Sequence, residues 1–133
     1  MDKTFKDLND KNKADRWVAV YALEKFGTPA LDYLHKALAD DDKWVRYAAV
    51  DALGNIGDSQ SVPHVTKLLG DTDQDVRFAA ADSLGRIGDP KASHALMQTC
   101  NNDNCFVRVA AEEALEKLAP ADKQVHGAGK SKV

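Results

Sequence analysis

The sequence predicts an all-α solenoid of about four stacked helical hairpins. Two observations lead to this fold class: a motif recurs about every 31 residues, and residues typical of helix ends stand at the same place in each repeat. The composition agrees, since 44% of the 133 residues are hydrophobic and 29% are charged, as in ordinary globular proteins. A short helical hairpin cannot bury its apolar face alone, so we expect neighbouring units to stack.

The repeat is clearest in residues 45–58 (VRYAAVDALGNIGD) and 76–89 (VRFAAADSLGRIGD). A further shift of 31 residues reaches 107–115, and a shift of 30 in the other direction reaches 16–23. We therefore expect one domain over residues 1–118, with units at about 2–27, 28–57, 58–88 and 89–118. Residues 119–133, which are rich in small residues and lysine, are expected to form a disordered tail.

Capping residues mark the two helices expected in each unit. One repeat position always holds a residue whose side-chain oxygen can accept from the first amides of the second helix, namely Asn12, Asp42, Asp73 and Asn104. Three of the second helices run into a glycine, which predicts left-handed stops at Gly27, Gly57 and Gly88. The next helix then opens with a cap, in two cases followed by proline: Thr28-Pro29, Asp58-Ser59 or Asp89-Pro90.

Apolar side chains recur at helical spacing in both helices of a unit. In the second unit they are Leu31, Leu34 and Leu38 on the first helix, and Val45, Ala49, Ala52 and Ile56 on the second. The first helix of the last unit is more polar, so we expect fraying there.

The pattern Val-Arg-x-Ala-Ala-x-x-x-Leu-Gly-x-Ile-Gly-Asp resembles the HEAT-like repeats of the phycobilisome (bilin) lyase family, over about residues 2–118. The end units depart from it: Asp15 replaces the valine, and Glu24 and Glu116 replace the glycine. The resemblance implies a right-handed superhelix whose second helices line the concave side. It does not fix a function, because the same repeat serves bilin lyases, deoxyhypusine hydroxylase and many scaffolds.

Acidic and basic residues recur together in every unit. Asp10, Asp40, Asp71 and Asn102 share one repeat position, and Arg16, Arg46, Arg77 and Arg108 share another, six residues later. An active site would occur once rather than in every unit, so we interpret this set as a structural ladder that ties each loop to its neighbour.

Candidate catalytic and metal-binding residues do not form a motif. None of the four histidines begins the His-Glu dipeptide with which deoxyhypusine hydroxylase binds iron, and their different repeat positions predict that stacking does not gather them into a ligand set. Cys100 and Cys105 lack partners at zinc-site spacing; Cys100 replaces a core leucine, and Cys105 at a helix start leaves a redox role open. We predict no enzyme activity, no cofactor and no metal.

The outer face of the second helices carries the candidate binding residues. One position reads Trp17, Tyr47, Phe78 and Val109 through the stack, and the next reads Tyr21, Asp51, Asp82 and Glu113. We expect Trp17, Tyr47 and Phe78 to be exposed; Trp44 and Phe106, at the side of their helices, could be exposed or packed between helices. Exposed aromatic groups next to acids indicate a partner protein or peptide with basic and apolar residues.

The function expected from the sequence is therefore a non-catalytic protein-interaction module, with its partner bound on the aromatic and acidic concave face. A bilin lyase-like or chromoprotein chaperone subunit is an alternative that the resemblance permits. The net charge of −3 disfavours a nucleic-acid-binding solenoid, which needs basic side chains. No apolar stretch is long enough to span a membrane, and we expect a cytoplasmic protein. The sequence leaves the oligomeric state open.

Overall fold

The computed structural model describes residues 13–118, with side chains described from Arg16 onward, and this part of the chain is all-α. Its helices are α1 (Lys13–Glu24), α2 (Leu31–Ala37), α3 (Lys43–Ile56), α4 (Val62–Lys67), α5 (Gln74–Ile87), α6 (Ser93–Asn102) and α7 (Cys105–Leu118). Short 3-10 turns precede α2, α4 and α6, and another, Leu68–Gly70, follows α4. Asp10, Asn12 and the tail predicted for residues 119–133 lie outside the described residues.

The helices form two layers. The second-helix layer consists of α1, α3, α5 and α7, which pack side by side in chain order, while α2, α4 and α6 each pack against the helix that follows them. Leucines with no exposed surface fill the space between the layers: Leu23, Leu34, Leu53, Leu84 and Leu96. Full burial of each such side chain stabilises the fold by about 1.5–3 kcal/mol. The predicted solenoid of stacked hairpins is confirmed.

Side-chain caps begin three helices of the second-helix layer. Asp42 and Asp73 each accept hydrogen bonds from the amides two and three residues further along, at 2.8–3.3 Å. Asn104 accepts from the amide of Val107 at 3.0 Å. These bonds satisfy amides that the first helical turn leaves without a partner, and they confirm the predicted caps at the three positions.

The glycines that follow the second helices differ in conformation. Gly57 and Gly88 are left-handed, with φ of 75° and 79°, and their amides donate to the carbonyl groups of Leu53 and Leu84. Gly27 has φ 65° but ψ −137°, which lies outside the left-handed helical region. The predicted stop is thus correct at two positions and wrong at Gly27, because α1 already ends three residues earlier and Gly27 belongs to the turn that follows.

Two further glycines, inside α3 and α5, set how closely the second helices approach. A Cβ atom at Gly85 would lie 2.9 Å from the Cα of Ala114 in α7, and one at Gly54 would lie 2.6 Å from the Ser83 Oγ in α5. Real Cβ atoms almost never come this close to another heavy atom. At Gly85 the nearest atom is backbone, so a larger side chain would force α5 and α7 apart, whereas at Gly54 it would displace the side chains of Ser83 and Arg86.

The last helix has a different outer face. Where α5 carries the buried Ala81 and Gly85, α7 carries Glu112 and Glu116 at the corresponding positions, and both glutamates are exposed. This face therefore does not offer the small residues that permit the close contacts between α3 and α5 and between α5 and α7.

Candidate functional site

The row of residues predicted to be exposed is only partly so. Trp17 and Val109 have 38% and 50% of their surface exposed, whereas Tyr47 and Phe78 are half-buried and pack against the core. Tyr47 and Phe78 thus differ from the expectation, because they belong to the central helices α3 and α5, whose side chains meet a neighbouring helix. Tyr47 and Phe78 therefore form the base of this surface and are not fully exposed side chains.

Trp44 and Phe106 are the more exposed rings, at 49% and 46%. Each lies in the first turn of its helix, close to the loop that precedes it. Phe106 also stacks on Phe78 across the α5–α7 interface, with ring centroids 4.5 Å apart and planes 15° from parallel. Such an aromatic pair contributes about 0.5–1.5 kcal/mol beyond the burial of its area. Phe106 therefore packs between helices and still keeps almost half of its surface exposed.

An aromatic cleft opens between α1 and α3. It has a volume of about 350 Å³ and is lined by Trp17, Tyr21, Trp44 and Tyr47. Within each helix two rings meet edge to face, Trp17 with Tyr21 at 6.0 Å and Trp44 with Tyr47 at 5.9 Å. Burial, together with the charge of Asp51 and a hydrogen bond to it, raises the pKa of Tyr21 to about 12. The phenol therefore stays protonated at neutral pH.

The acidic row beside the rings is partly neutralised by Arg86. This side chain donates a hydrogen bond of 2.8 Å to Asp51, and its Nε atom lies 3.0 Å from a carboxylate oxygen of Asp82, without hydrogen-bond geometry. Arg86 also donates to Asn55 and to the Oγ of Ser83. Of the three acids in this row, Asp51 and Asp82 thus lie against Arg86, and Glu113 is exposed outside this cluster.

The Asp–Arg ladder joins each loop to the loop of the next unit. Arg16 donates two hydrogen bonds to Asp40, at 3.0 and 3.1 Å, and Arg46 donates two to Asp71, at 2.8 and 3.1 Å. Burial acts to raise the pKa of Asp40, but bonds from the Asp42 amide and from Arg16 outweigh it, and the pKa is lowered. The Asp40 carboxylate thus remains charged, and the paired hydrogen bonds of the ladder hold the loops in register.

The last step of the ladder uses Asp103 instead of the predicted Asn102. Arg77 donates to Asp103 at 2.8 and 3.2 Å, while Asn102 is exposed. The physical reason is the length of α6, which extends through Asn102 and so moves the acceptor one residue along the chain. Arg108 is half-exposed, with Glu112 at 3.9 Å. Asp10 lies outside the described residues.

Two of the histidines come together in the structure. The rings of His35 and His64 stack with centroids 3.9 Å apart, and the His35 Nε2 lies 2.9 Å from the Oγ of the buried Ser61. No group of three or more histidine, cysteine or acidic side chains suited to hold a metal ion occurs within residues 13–118. Cys100 is partly buried, which raises its pKa, and Cys105 is exposed.

The histidine pair predicts a pH-dependent stability. Burial and the neighbouring His64 lower the pKa of His35, against the opposing charges of Asp32 and Asp58. A lowered pKa means that folding favours the neutral ring, so stability is full above its ordinary pKa of about 6.5 and declines as the pH falls below it. In urea unfolding between pH 5 and 8, we expect His35→Gln to flatten this decline and His94→Gln, which changes an exposed ring, to leave it unchanged. Parallel curves for the parent and His35→Gln would contradict this assignment.

Comparisons with known proteins agree with this geometry. The family profile for HEAT repeats matches residues 1–75 and 39–116. The structure of the complex of CpcE and CpcF of phycocyanin lyase from Nostoc sp. PCC7120 is similar, with a TM-score of 0.78 and 26% identity over 86% of this chain and 52% of that chain. Human deoxyhypusine hydroxylase in complex with glycerol is similar with a TM-score of 0.80 and 27% identity, over 95% of this chain and 45% of that chain.

The chain thus spans about half the length of both similar structures. A comparison with curated proteins gave no match. Among the described residues, no helix is both long and apolar enough to cross a membrane.

Proposed function

Because the chain belongs to the HEAT-repeat family, we propose that it is a non-catalytic protein-interaction module whose second-helix layer binds a segment of a partner protein. The observation that carries this proposal is the exposure of three large rings on one layer, Trp17, Trp44 and Phe106. Large aromatic groups are among the residues whose truncation most often weakens an interface, and a large exposed apolar patch on a monomer usually marks an interaction site.

The charge of the same layer supports a partner that carries basic residues. Arg86 contacts the carboxylates of both Asp51 and Asp82, so these three side chains together carry one negative charge. Asp75 at the start of α5 and the exposed Glu113 of α7 add further negative charge. A partner segment with lysine or arginine between apolar anchors would be complementary to this surface.

Comparative capture tests the proposal. Lysate from the native cells is passed over the parent chain, over Trp44→Ala and Phe106→Ala, and over Met97→Ala, whose side chain is 54% exposed on α6 outside the second-helix layer. A true partner is retained by the parent and by Met97→Ala but not by the ring variants. In a titration with that partner, each ring variant should lose about 2 kcal/mol, or roughly 30-fold in affinity. Equal retention by all baits would refute the proposal.

A second candidate function is a bilin lyase-like or chromoprotein chaperone subunit. It is favoured by the 26% identity with the structure of the CpcE–CpcF complex of phycocyanin lyase over most of this chain. Mixing the protein with a bilin and an apo-phycobiliprotein should then give a coloured covalent product. If the absorbance and the mass of the apo-protein do not change, bilin attachment by this chain alone is excluded.

A cytoplasmic location is part of the same proposal. The two cysteines, Cys100 and Cys105, are free thiols in the structure, as is usual in the reducing cytosol. Fractionation of the native cells, followed by detection of the protein with an antibody, tests this location directly.

A further inference from the structure

The aromatic cleft between α1 and α3 is a concave site on the second-helix layer. Its lining consists of Trp17, Tyr21, Trp44 and Tyr47, and it encloses about 350 Å³. Two of these rings are indoles, which bind cations through their faces more strongly than phenyl or phenol rings do. A concave site lined by aromatic rings is suited to one long side chain of a partner, because the apolar stem and the head group can both touch a ring.

The electrostatic surroundings of the cleft favour a positive head group. The charge of Asp51 acts on the hydroxyl of Tyr21, and the charges of Asp51, Asp75 and Asp82 act on that of Tyr47. Arg86 is the cation that offsets them there. The three carboxylates therefore outnumber Arg86 among the charges that act on the hydroxyl of Tyr47, which lines the cleft.

The chain already shows one of these rings in contact with a cation. The Nζ atom of Lys43 lies 4.9 Å from the centroid of the Trp44 ring. The same ammonium group is held 3.2 Å from Asp73, and Lys43 is not among the residues that line the cleft. The ring can therefore attract a positive group while the cleft stays open.

We propose that the aromatic cleft binds the side chain of an arginine in the partner segment, an inference that rests on the proposed function. Arginine suits the site better than lysine because its planar guanidinium group stacks on aromatic faces and is only weakly hydrated. The compact ammonium group of lysine is strongly hydrated, and an aromatic lining offers it few hydrogen-bond acceptors in exchange.

The two tryptophans make the test direct. Trp17 and Trp44 are the chain's only tryptophans, so the indole fluorescence of the protein reports on this cleft alone. We would titrate the full chain with N-acetylarginine methylamide and, at equal ionic strength, with the lysine and norleucine analogues. We expect a saturable change with arginine and an affinity about fivefold higher than with norleucine, as one cation–π contact would give. Lysine should fall between the two.

Variants and their controls keep this test decisive. Trp44→Leu and Tyr47→Leu should each remove the arginine preference. Trp44 is a half-exposed ring, and in its variant Trp17 remains as the fluorescent reporter. Phe106→Leu, which changes an exposed ring outside the cleft, should leave the titration as in the parent. The inference is overturned if norleucine or lysine binds as tightly as arginine, if no probe saturates, or if Phe106→Leu has the same effect as Trp44→Leu.

This outcome can be told apart from that of the proposed function. If captured partners depend on Trp44 and Phe106 while the arginine probe does not bind, the arginine site is wrong and the interaction module stands. If the probe binds as described but no captured protein depends on these rings, the arginine site stands and the proposed function is wrong.

Discussion

Gly85→Val should destabilise the protein by about 3 kcal/mol, the upper part of the range for overpacked sites. A Cβ atom at this position would lie 2.9 Å from the Cα and 3.0 Å from the Cβ of Ala114 in α7. Since the nearest atom belongs to backbone, no side-chain rotation relieves the clash, and α7 must move away from α5. That movement would also separate the stacked rings of Phe78 and Phe106. Urea unfolding of both proteins followed by circular dichroism measures the loss.

The matched control is Gly70→Val. Gly70 ends the turn after α4, is exposed, has no heavy atom within 4 Å of a built Cβ and does not have a positive φ. We expect this variant to stay within about 0.5 kcal/mol of the parent, as is usual for surface changes. A Gly85→Val protein as stable as Gly70→Val would show that α5 and α7 do not approach as closely as described.

The example of Gly85 shows how far the sequence predicts this fold. The repeat predicts which segments become neighbours, because residues about 31 apart must adopt the same environment. Capping residues predict most helix boundaries, since local hydrogen bonds determine them. The close approach at Gly54 and Gly85 is visible in the sequence only as glycine within a helix, which is also what a poorly formed helix would show. The neighbour that makes glycine necessary belongs to another unit.

The candidate site is less predictable, because it depends on packing between units. The sequence identified the layer and its rings, but it did not predict that Arg86 would be shared by Asp51 and Asp82. One signal was present: the repeat places Ser83 at the position of the buried Ala52 and Ala114, and a buried hydroxyl needs a partner. Its Oγ donates to the Val50 carbonyl at 2.7 Å and accepts from Arg86. Ser83, a polar residue at a repeat position that is otherwise apolar, therefore indicated the group of polar contacts around Arg86.

Replacement of Asp71 by alanine should lower the free energy of unfolding by about 2–3 kcal/mol, because this one carboxylate accepts hydrogen bonds from two elements of the fold. It accepts two hydrogen bonds from Arg46 of the preceding unit and a third, at 2.9 Å, from the amide of Asp73, the residue that caps α5. The Asp71 side chain is only 9% exposed, so water cannot fully replace these partners. Urea unfolding should show a lower midpoint with an unchanged slope.

Asp41→Ala is the control, since this carboxylate also lies 3.1 Å from an arginine, Arg16, but is 91% exposed. Ion pairs exposed to water contribute little to stability, so we expect the free energy of unfolding to change by less than about 0.5 kcal/mol.

A similar pair of variants tests the last step of the ladder: Asp103→Ala should destabilise the protein, and Asn102→Ala should not. If Asp71→Ala and Asp41→Ala were equally stable, the Asp–Arg ladder would not stabilise the fold and its structural assignment would be wrong. If instead Asn102→Ala caused the larger loss, the sequence register would be right at this step, and α6 would have to end one residue earlier.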